Sequence, residues 1–122
     1  MVVSDDGSRI RIPADLDEVT SIGREDHSDI DPAAVERIWQ AARHWYAAGM
    51  QPAIQLCLRR DGRVILDRAI GHGWGNGPAD PRGGEEIGSQ EIGSEKVLVS
   101  TETPFCVYSA AKAITTTVAH ML

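Results

Sequence analysis

The dipeptide Asp61-Gly62 constrains the fold of this chain more than any other feature, because it lies between two runs rich in strand-forming residues. A two-residue type I′ turn needs positive φ at both positions, and Asp followed by Gly between alternating apolar residues is the strongest short hairpin signal. The pattern predicts antiparallel strands at 53–60 and 63–71. Both faces of this hairpin are mixed in polarity, which favours a sheet covered on both sides. The predicted cross-strand pairs are Leu58 with Ile65, Leu56 with Asp67, Cys57 with Leu66, and Gln55 with Arg68.

A helix is predicted before the hairpin. Asp31 is a good N-cap, Pro32 fits the first helical position, and Gly49 is placed to end the helix. His44 falls on the polar side and is expected to be exposed. Apolar residues at helical spacing predict one wide face toward the core, formed by Val35, Ile38, Trp39, Ala42, Trp45 and Tyr46.

Length and composition restrict the class of protein. With 122 residues, 42% of them hydrophobic and 25% charged, the chain has room for one small globular domain at most. A net charge of −6 argues against nucleic acid or an anionic membrane as a partner. No apolar run is long enough for a membrane span, and no export signal is recognisable, so a cytoplasmic location is expected. Residues 1–30 are expected to form an extension over the domain, anchored by Ile10, Ile12, Leu16, Val19 and Ile22.

The stretch 71–96 is predicted to be a long loop. It contains eight of the twelve glycines and a tandem echo at 86–95. Its glycine-rich start lacks the spacing and the Lys-Ser/Thr of a phosphate-binding loop. We therefore interpret His72 as a loop histidine in preference to a catalytic base. A brief strand is predicted at 97–99.

The two cysteines, Cys57 and Cys106, are too few and too far apart for a disulfide framework or a metal site. We interpret them as buried free thiols. No metal or other cofactor is expected.

The last twenty residues, 103–122, carry the clearest chemistry. Pro104 favours an extended approach, and the apolar residues between Ala110 and Leu122 recur as in a mostly buried helix. Ser109 and Lys112 fall in its first turn, three positions apart and therefore on one face. The positive potential at a helix N-terminus favours a neutral lysine, which can take the proton of a nucleophilic serine.

The alternative for Ser109 is a structural N-cap, since serine is among the best capping residues. A capping box would place Glu or Gln at position 112, where this chain has lysine. Ten of the twelve basic residues are arginine, which does not act as a base, and Lys112 is one of only two lysines. Spacing and placement alone leave both interpretations open.

The run Thr101-Glu-Thr-Pro-Phe-Cys-Val-Tyr-Ser-Ala-Ala-Lys112 resembles the Ser-x-x-Lys segment of the serine β-lactamase-like superfamily. That superfamily includes class C β-lactamases, penicillin-binding proteins and family VIII carboxylesterases. Segment 52–71 resembles the family's opening hairpin, so the resemblance runs from about residue 32 to the end. It implies an α+β fold in which an N-terminal helix packs on a central antiparallel sheet. It also implies that Ser109 forms an acyl-enzyme, that Lys112 assists its deprotonation, and that the Ser109 N–H forms half of an oxyanion hole.

The later motifs of that family, a Tyr-x-Asn-like motif and a His-x-Gly-like or Lys-Thr-Gly-like motif, do not occur in this chain. Neither tyrosine fits the first motif, because Tyr46 is followed by Ala-Ala and Tyr108 by Ser-Ala. Residues 31–122 are therefore expected to be the N-terminal portion of a β-lactamase-like domain, from a protein roughly three times as long. A complementing C-terminal chain of the same protein is the expected partner.

The function predicted from this resemblance is that of a serine hydrolase, most simply a carboxylesterase or lipase acting on a small-molecule ester. Two alternatives stay open. One is a β-lactamase or D-amino-acyl peptidase with the same nucleophile. The other is a non-catalytic remnant or binding module that keeps the beginning of the fold without its chemistry.

Overall fold

The computed structural model describes residues 10–77 and 96–121. Helix and antiparallel sheet are mixed in it, which confirms the predicted α+β class. None of the helices in these two ranges is long and apolar enough to cross a membrane. The elements in chain order are a 3₁₀ turn at Leu16–Val19, β1 at Thr20–Ile22, α1 at Pro32–Ala47, β2 at Ala53–Arg60, β3 at Arg63–Trp74, β4 at Val97–Leu98, a 3₁₀ turn at Tyr108–Ala110, and α2 at Ala111–Met121.

Helix α1 begins and ends where its sequence signals predict. The Asp31 carboxylate accepts the N–H of Ala33 at 3.0 Å, Pro32 opens the helix, and Gly49 follows it with φ 77°. The buried face of α1 is narrower than predicted. A sheet of so few strands covers only one row of four helix residues, which follow each other at intervals of four, three and four positions. Val35, Trp39, Ala42 and Tyr46 are buried, whereas Ile38 and Trp45 lie on the flanks and are exposed, as is His44.

The hairpin β2–β3 is confirmed, and Asp61 and Gly62 both have positive φ, at 50° and 78°. β3 continues to Trp74, so His72 belongs to a strand, and the prediction of a loop from residue 71 is wrong. The sheet has the order β1-β3-β2, and β4 pairs with the far end of β3. β2 thus forms one edge of the described sheet.

The predicted register of the hairpin is wrong by one residue beyond the turn. A β-bulge follows Leu58, and Ile65 is the extra residue on β3. A bulge of this kind shifts every later pair and increases the local twist. The observed pairs are Leu58 with Leu66, Cys57 with Asp67, Leu56 with Arg68, and Gln55 with Ala69.

The core lies between α1 and one face of the sheet. Leu66 and Ile70 of β3 are fully buried in it, and Ile54, Leu56 and Leu58 of β2 pack against it. The segment before α1 contributes to the same core through Ile10 and Val19, while Ile12 and Leu16 pack at its margin and Ile22 is exposed. This segment also supplies β1, a three-residue strand that the sequence pattern did not predict.

A buried ion-pair cluster fastens the segment before α1 to β3. Arg68 is 8% exposed, and its guanidinium donates to Glu25 at 2.8 and 3.0 Å and to Glu36 at 2.8 Å and lies over the Trp39 ring. Burial alone would raise the pKa of the Glu25 carboxyl. Hydrogen bonds from Arg68 and from the Asp67 N–H outweigh that effect and bring this pKa below its ordinary value. The charge of Arg68 is thereby compensated inside the core.

Both cysteines are free, but the prediction that they are buried is wrong. Cys57 lies on edge strand β2 with its side chain on the sheet face opposite α1, and Cys106 lies in the exposed approach to the second 3₁₀ turn. Within the described residues, too little packs against that face at Cys57, or against the approach at Cys106, to bury either thiol.

Candidate active site

The chain reaches the candidate site along β4, where the sequence predicts a brief strand. Val99 is 2% exposed, and its N–H donates to the carbonyl of Gly71 at 3.0 Å. A tight turn follows, closed by three hydrogen bonds between Ser100 and Thr103, one of which joins the two hydroxyls at 3.2 Å. The Ser100 N–H donates to Thr103 Oγ1 at 2.9 Å, and the Thr103 N–H donates to the Ser100 carbonyl at 3.2 Å. This turn, residues 100–103, is the base from which the chain runs to Ser109.

A side chain of β2 holds this turn against the sheet. Gln55 Nε2 donates to the carbonyl of Ser100 at 3.0 Å and to that of Thr103 at 3.2 Å. The side chain lies on the face opposite α1, since its neighbours Ile54 and Leu56 point to the core. The turn therefore covers part of the second sheet face, as the mixed polarity of the hairpin predicts.

The backbone changes direction immediately before Ser109. Tyr108 has φ 44°, and among the described non-glycine residues only Asp61 also has positive φ. Such a conformation is uncommon for a bulky residue and costs on the order of 1–3 kcal/mol. Ser109 follows in the 3₁₀ turn, and α2 begins two residues later at Ala111. The sharp bend places Ser109 at the start of a helix, as the sequence predicts.

Ser109 is exposed, and its hydroxyl and N–H are free within the described residues, while its carbonyl accepts the N–H of Ala111. Its hydroxyl makes no hydrogen bond there, and its backbone N–H makes none either, whereas the next N–H, that of Ala110, donates to Val107 at 3.0 Å. The structure thus offers no sign of the capping role that is the alternative for this serine. A free hydroxyl and a free N–H at a helix start are the groups that a nucleophile and an oxyanion donor need.

Lys112 lies in the first turn of α2, one turn beyond Ser109, and is exposed. No hydrogen bond between Ser109 and Lys112 occurs in the part of the chain that the structure describes. The structure therefore brings the two residues to one short stretch without joining them. Burial, one of the two effects expected to favour a neutral lysine, does not act on Lys112 within the described residues.

The prediction that α2 is mostly buried is wrong for this structure. No residue of α2 is buried, and Ile114, Val118 and Met121 are 65%, 53% and 80% exposed. These three residues recur at helical spacing and form one apolar stripe, which we call the α2 stripe. Within 10–77 and 96–121, no element packs against it closely enough to bury a residue.

His72 is half-buried in β3 and is not hydrogen-bonded to Ser109 or Lys112 in the described residues. Its Nδ1 is buried and has no hydrogen-bond partner in the ranges 10–77 and 96–121. Burial, helped by the charge of Lys96, lowers the pKa of His72 and so favours the neutral ring. The Lys96 ammonium itself donates to Asn76 Oδ1 at 3.2 Å.

Two residues of this region were missed by reasoning from sequence. Gln55 could have been suspected, because it is a polar residue among apolar neighbours in a predicted strand. Tyr108 could not, since nothing in its side chain predicts positive φ. The described residues contain no group of three or more His, Cys, Asp or Glu side chains that could hold a metal ion.

Comparisons of the chain with protein-family models, with curated proteins and with solved structures returned no match. The function is therefore inferred from the residues around Ser109 and from their geometry.

Proposed function

We propose that the chain supplies the nucleophile and the base of a serine hydrolase of the β-lactamase-like kind, with Ser109 and Lys112 in those roles. The observation that carries the proposal is the positive φ of Tyr108, directly before a serine whose hydroxyl and N–H are both free of hydrogen bonds to the rest of the described chain. Strained backbone of this kind clusters at functional sites, where the surrounding structure must maintain it. A cytoplasmic location belongs to the proposal as well.

The proposed reaction is acyl transfer. Ser109 Oγ attacks the ester carbonyl carbon while the neutral Lys112 amine takes the hydroxyl proton, and the Ser109 N–H donates to the developing oxyanion. The alcohol leaves with a proton, and water then cleaves the acyl-enzyme to release the acid and restore the serine. Neither a metal nor a redox cofactor is required.

A complementing part of the same protein is a second element of the proposal. Two features support it: strand β2 is an edge of the described sheet, and the α2 stripe is exposed. An uncovered strand edge and an apolar helix face are the surfaces that a larger domain covers.

A fluorophosphonate probe tests the proposal, because it reacts covalently with an activated serine. Labelling should occur in the protein that includes the complementing part and should be lost in Ser109→Ala. Ser28→Ala, which removes another exposed hydroxyl, should be labelled like the parent. Labelling that persists in Ser109→Ala, or that is absent from the parent protein, would contradict the proposal.

The substrate class needs a separate measurement. We propose a carboxylic ester, so p-nitrophenyl butyrate should be turned over far faster than a chromogenic cephalosporin or a D-alanyl peptide. Preference for the cephalosporin or the peptide would replace the esterase assignment and leave the roles of Ser109 and Lys112 unchanged.

A non-catalytic binding module is the second candidate, and one observation favours it. Ser109 and Lys112 are both exposed and share no hydrogen bond in the described residues, as expected of two unrelated surface residues. The same probe distinguishes the candidates, because a binding module gives no labelling under any condition.

A further inference from the structure

The hydrogen bonds of Gln55 form a clamp between the sheet and the path to Ser109. An amide nitrogen has two N–H groups, and in Gln55 both are used, one on the carbonyl of Ser100 and one on that of Thr103. These partners are 45 and 48 residues away in sequence. The clamp is therefore a tertiary contact between β2 and the turn 100–103.

The turn 100–103 is stabilised by its own hydrogen bonds, independently of Gln55. Besides the three hydrogen bonds between Ser100 and Thr103, the Glu102 N–H donates to Ser100 Oγ at 3.2 Å. Its closed shape presents two carbonyl oxygens to one side chain. The buried Val99 fixes the other end of the path through its hydrogen bond to Gly71.

Beyond Thr103 the described chain has no further hydrogen bond to the sheet. Residues 104–110 are bonded only within their own stretch and to α2, and α2 buries none of its residues. Ser109 comes six residues after Thr103. The clamp is thus the last hydrogen-bonded tie between the sheet and the serine in the described residues.

We propose that Gln55 is a positioning residue that sets the place of Ser109 by holding the turn 100–103 against β2. This inference rests on the proposed function, because it concerns the reactivity of Ser109. Gln55 acts through the backbone of the turn. Small displacements of a nucleophile reduce reactivity strongly even when binding is unaffected.

Two substitutions remove the clamp in different ways. Gln55→Glu keeps the size of the side chain but can only accept hydrogen bonds, so its carboxylate faces two carbonyl oxygens. Gln55→Met keeps the length and removes both donors without adding charge. The matched control is Gln51→Glu, which makes the same charge change at an exposed glutamine with no hydrogen bond among the described residues.

Amide hydrogen exchange over residues 99–108 reports the clamp itself. Losing two hydrogen bonds should raise exchange in this segment about tenfold or more in both Gln55 variants. Exchange over 63–72 of β3 should stay as in the parent, which separates a local release from unfolding of the sheet. Unchanged exchange over 99–108 would overturn the proposal.

The kinetics of labelling by the fluorophosphonate, in the protein that includes the complementing part, report positioning. The maximal rate of labelling should fall at least tenfold in Gln55→Glu and Gln55→Met, the concentration for half-maximal rate should change little, and Gln51→Glu should match the parent. Faster exchange with an unchanged labelling rate would overturn the positioning role alone. A parent protein that is not labelled at all would overturn both this role and the proposed hydrolase, so the two failures are distinguishable.

Discussion

Ser109 illustrates how much a single backbone angle contributes to a candidate site. The positive φ of Tyr108 turns the chain so that the serine stands at the start of the helix, with a hydroxyl and an N–H that are free among the residues the structure describes. The amine that would accept its proton is one turn further along α2. In the proposed reaction Ser109 depends on the Lys112 amine to accept its proton. A substitution of Lys112 alone therefore tests the proposed roles of both residues.

Lys112→Arg should abolish ester hydrolysis, by about 1,000-fold or more, because a guanidinium cannot accept the serine proton. The fold should be unaffected, since Lys112 is exposed and its side chain makes no hydrogen bond in the described residues. Turnover of p-nitrophenyl butyrate and far-ultraviolet circular dichroism measure the two effects. Lys96→Arg is the control, because arginine can still donate to Asn76. Substantial turnover in Lys112→Arg would show that the lysine is only structural.

Gly71 is required by its backbone conformation and by close contact. It has φ 104°, and a Cβ at this position would overlap the Pro52 carbonyl oxygen and lie 2.8 Å from the Tyr46 ring. Gly71→Ala should therefore destabilise the fold by about 1–3 kcal/mol. Gly73→Ala, where the nearest atom would lie 3.7 Å away, should be nearly neutral. Urea denaturation of both variants measures the difference, and equal midpoints would contradict it.

At the scale of secondary structure, the elements whose signals are local could be predicted and those set by tertiary contact could not. The caps of α1 and the Asp61-Gly62 turn depend on a few adjacent residues, so their positions were predicted correctly. The bulge after Leu58, the extension of β3 past Gly71 and the strand β1 depend on what lies beside them in the sheet. The exposure of α2 also depends on tertiary contacts, because an apolar stripe in the sequence does not specify which surface covers it.

The attachment of the segment before α1 to β3 should depend on pH through Glu25. The folded state lowers the pKa of this carboxyl below its ordinary value of about 4.5, so the folded state binds fewer protons than the unfolded state. The stability it contributes is complete above that value and is lost as the pH falls through the folded-state pKa. Glu36, whose pKa is lowered by hydrogen bonds from Arg68 and Gln40, adds to the same trend.

Glu25→Gln should cost roughly 2 kcal/mol at neutral pH, since Arg68 keeps only Glu36 as a charged partner. It should also flatten the loss of stability between about pH 5 and pH 2. Urea midpoints across this range, with the exposed Glu18→Gln as control, measure both effects. A Glu25→Gln variant with the parent's pH dependence would show that this ion pair is not the source of the stability lost at low pH.

The molecule as a whole is unevenly stabilised. Its buried side chains cluster around α1 and β3, while the segment from Pro104 to Met121 buries none. Elements with few buried contacts open first, with free energies far below that of global unfolding. The residues proposed for catalysis thus lie in the least supported part of the described chain.

The isolated chain should therefore show little protection from hydrogen exchange in α2 and strong protection in β3. A helix of 11 residues is marginal in water without tertiary packing, and Thr115, Thr116 and Thr117 lower its helix propensity further. Replacing Ile114 and Val118 together by serine should leave the urea midpoint of the isolated chain unchanged, because neither residue is buried. If a complementing part covers the α2 stripe, its addition should protect residues 111–121 in the parent and not in this double variant. Thr116→Ser, a change on the side of α2 opposite the stripe, is the control and should be protected like the parent. Protection of α2 equal to that of β3 in the isolated chain would contradict this account, because it would mean that the helix is already packed without a partner.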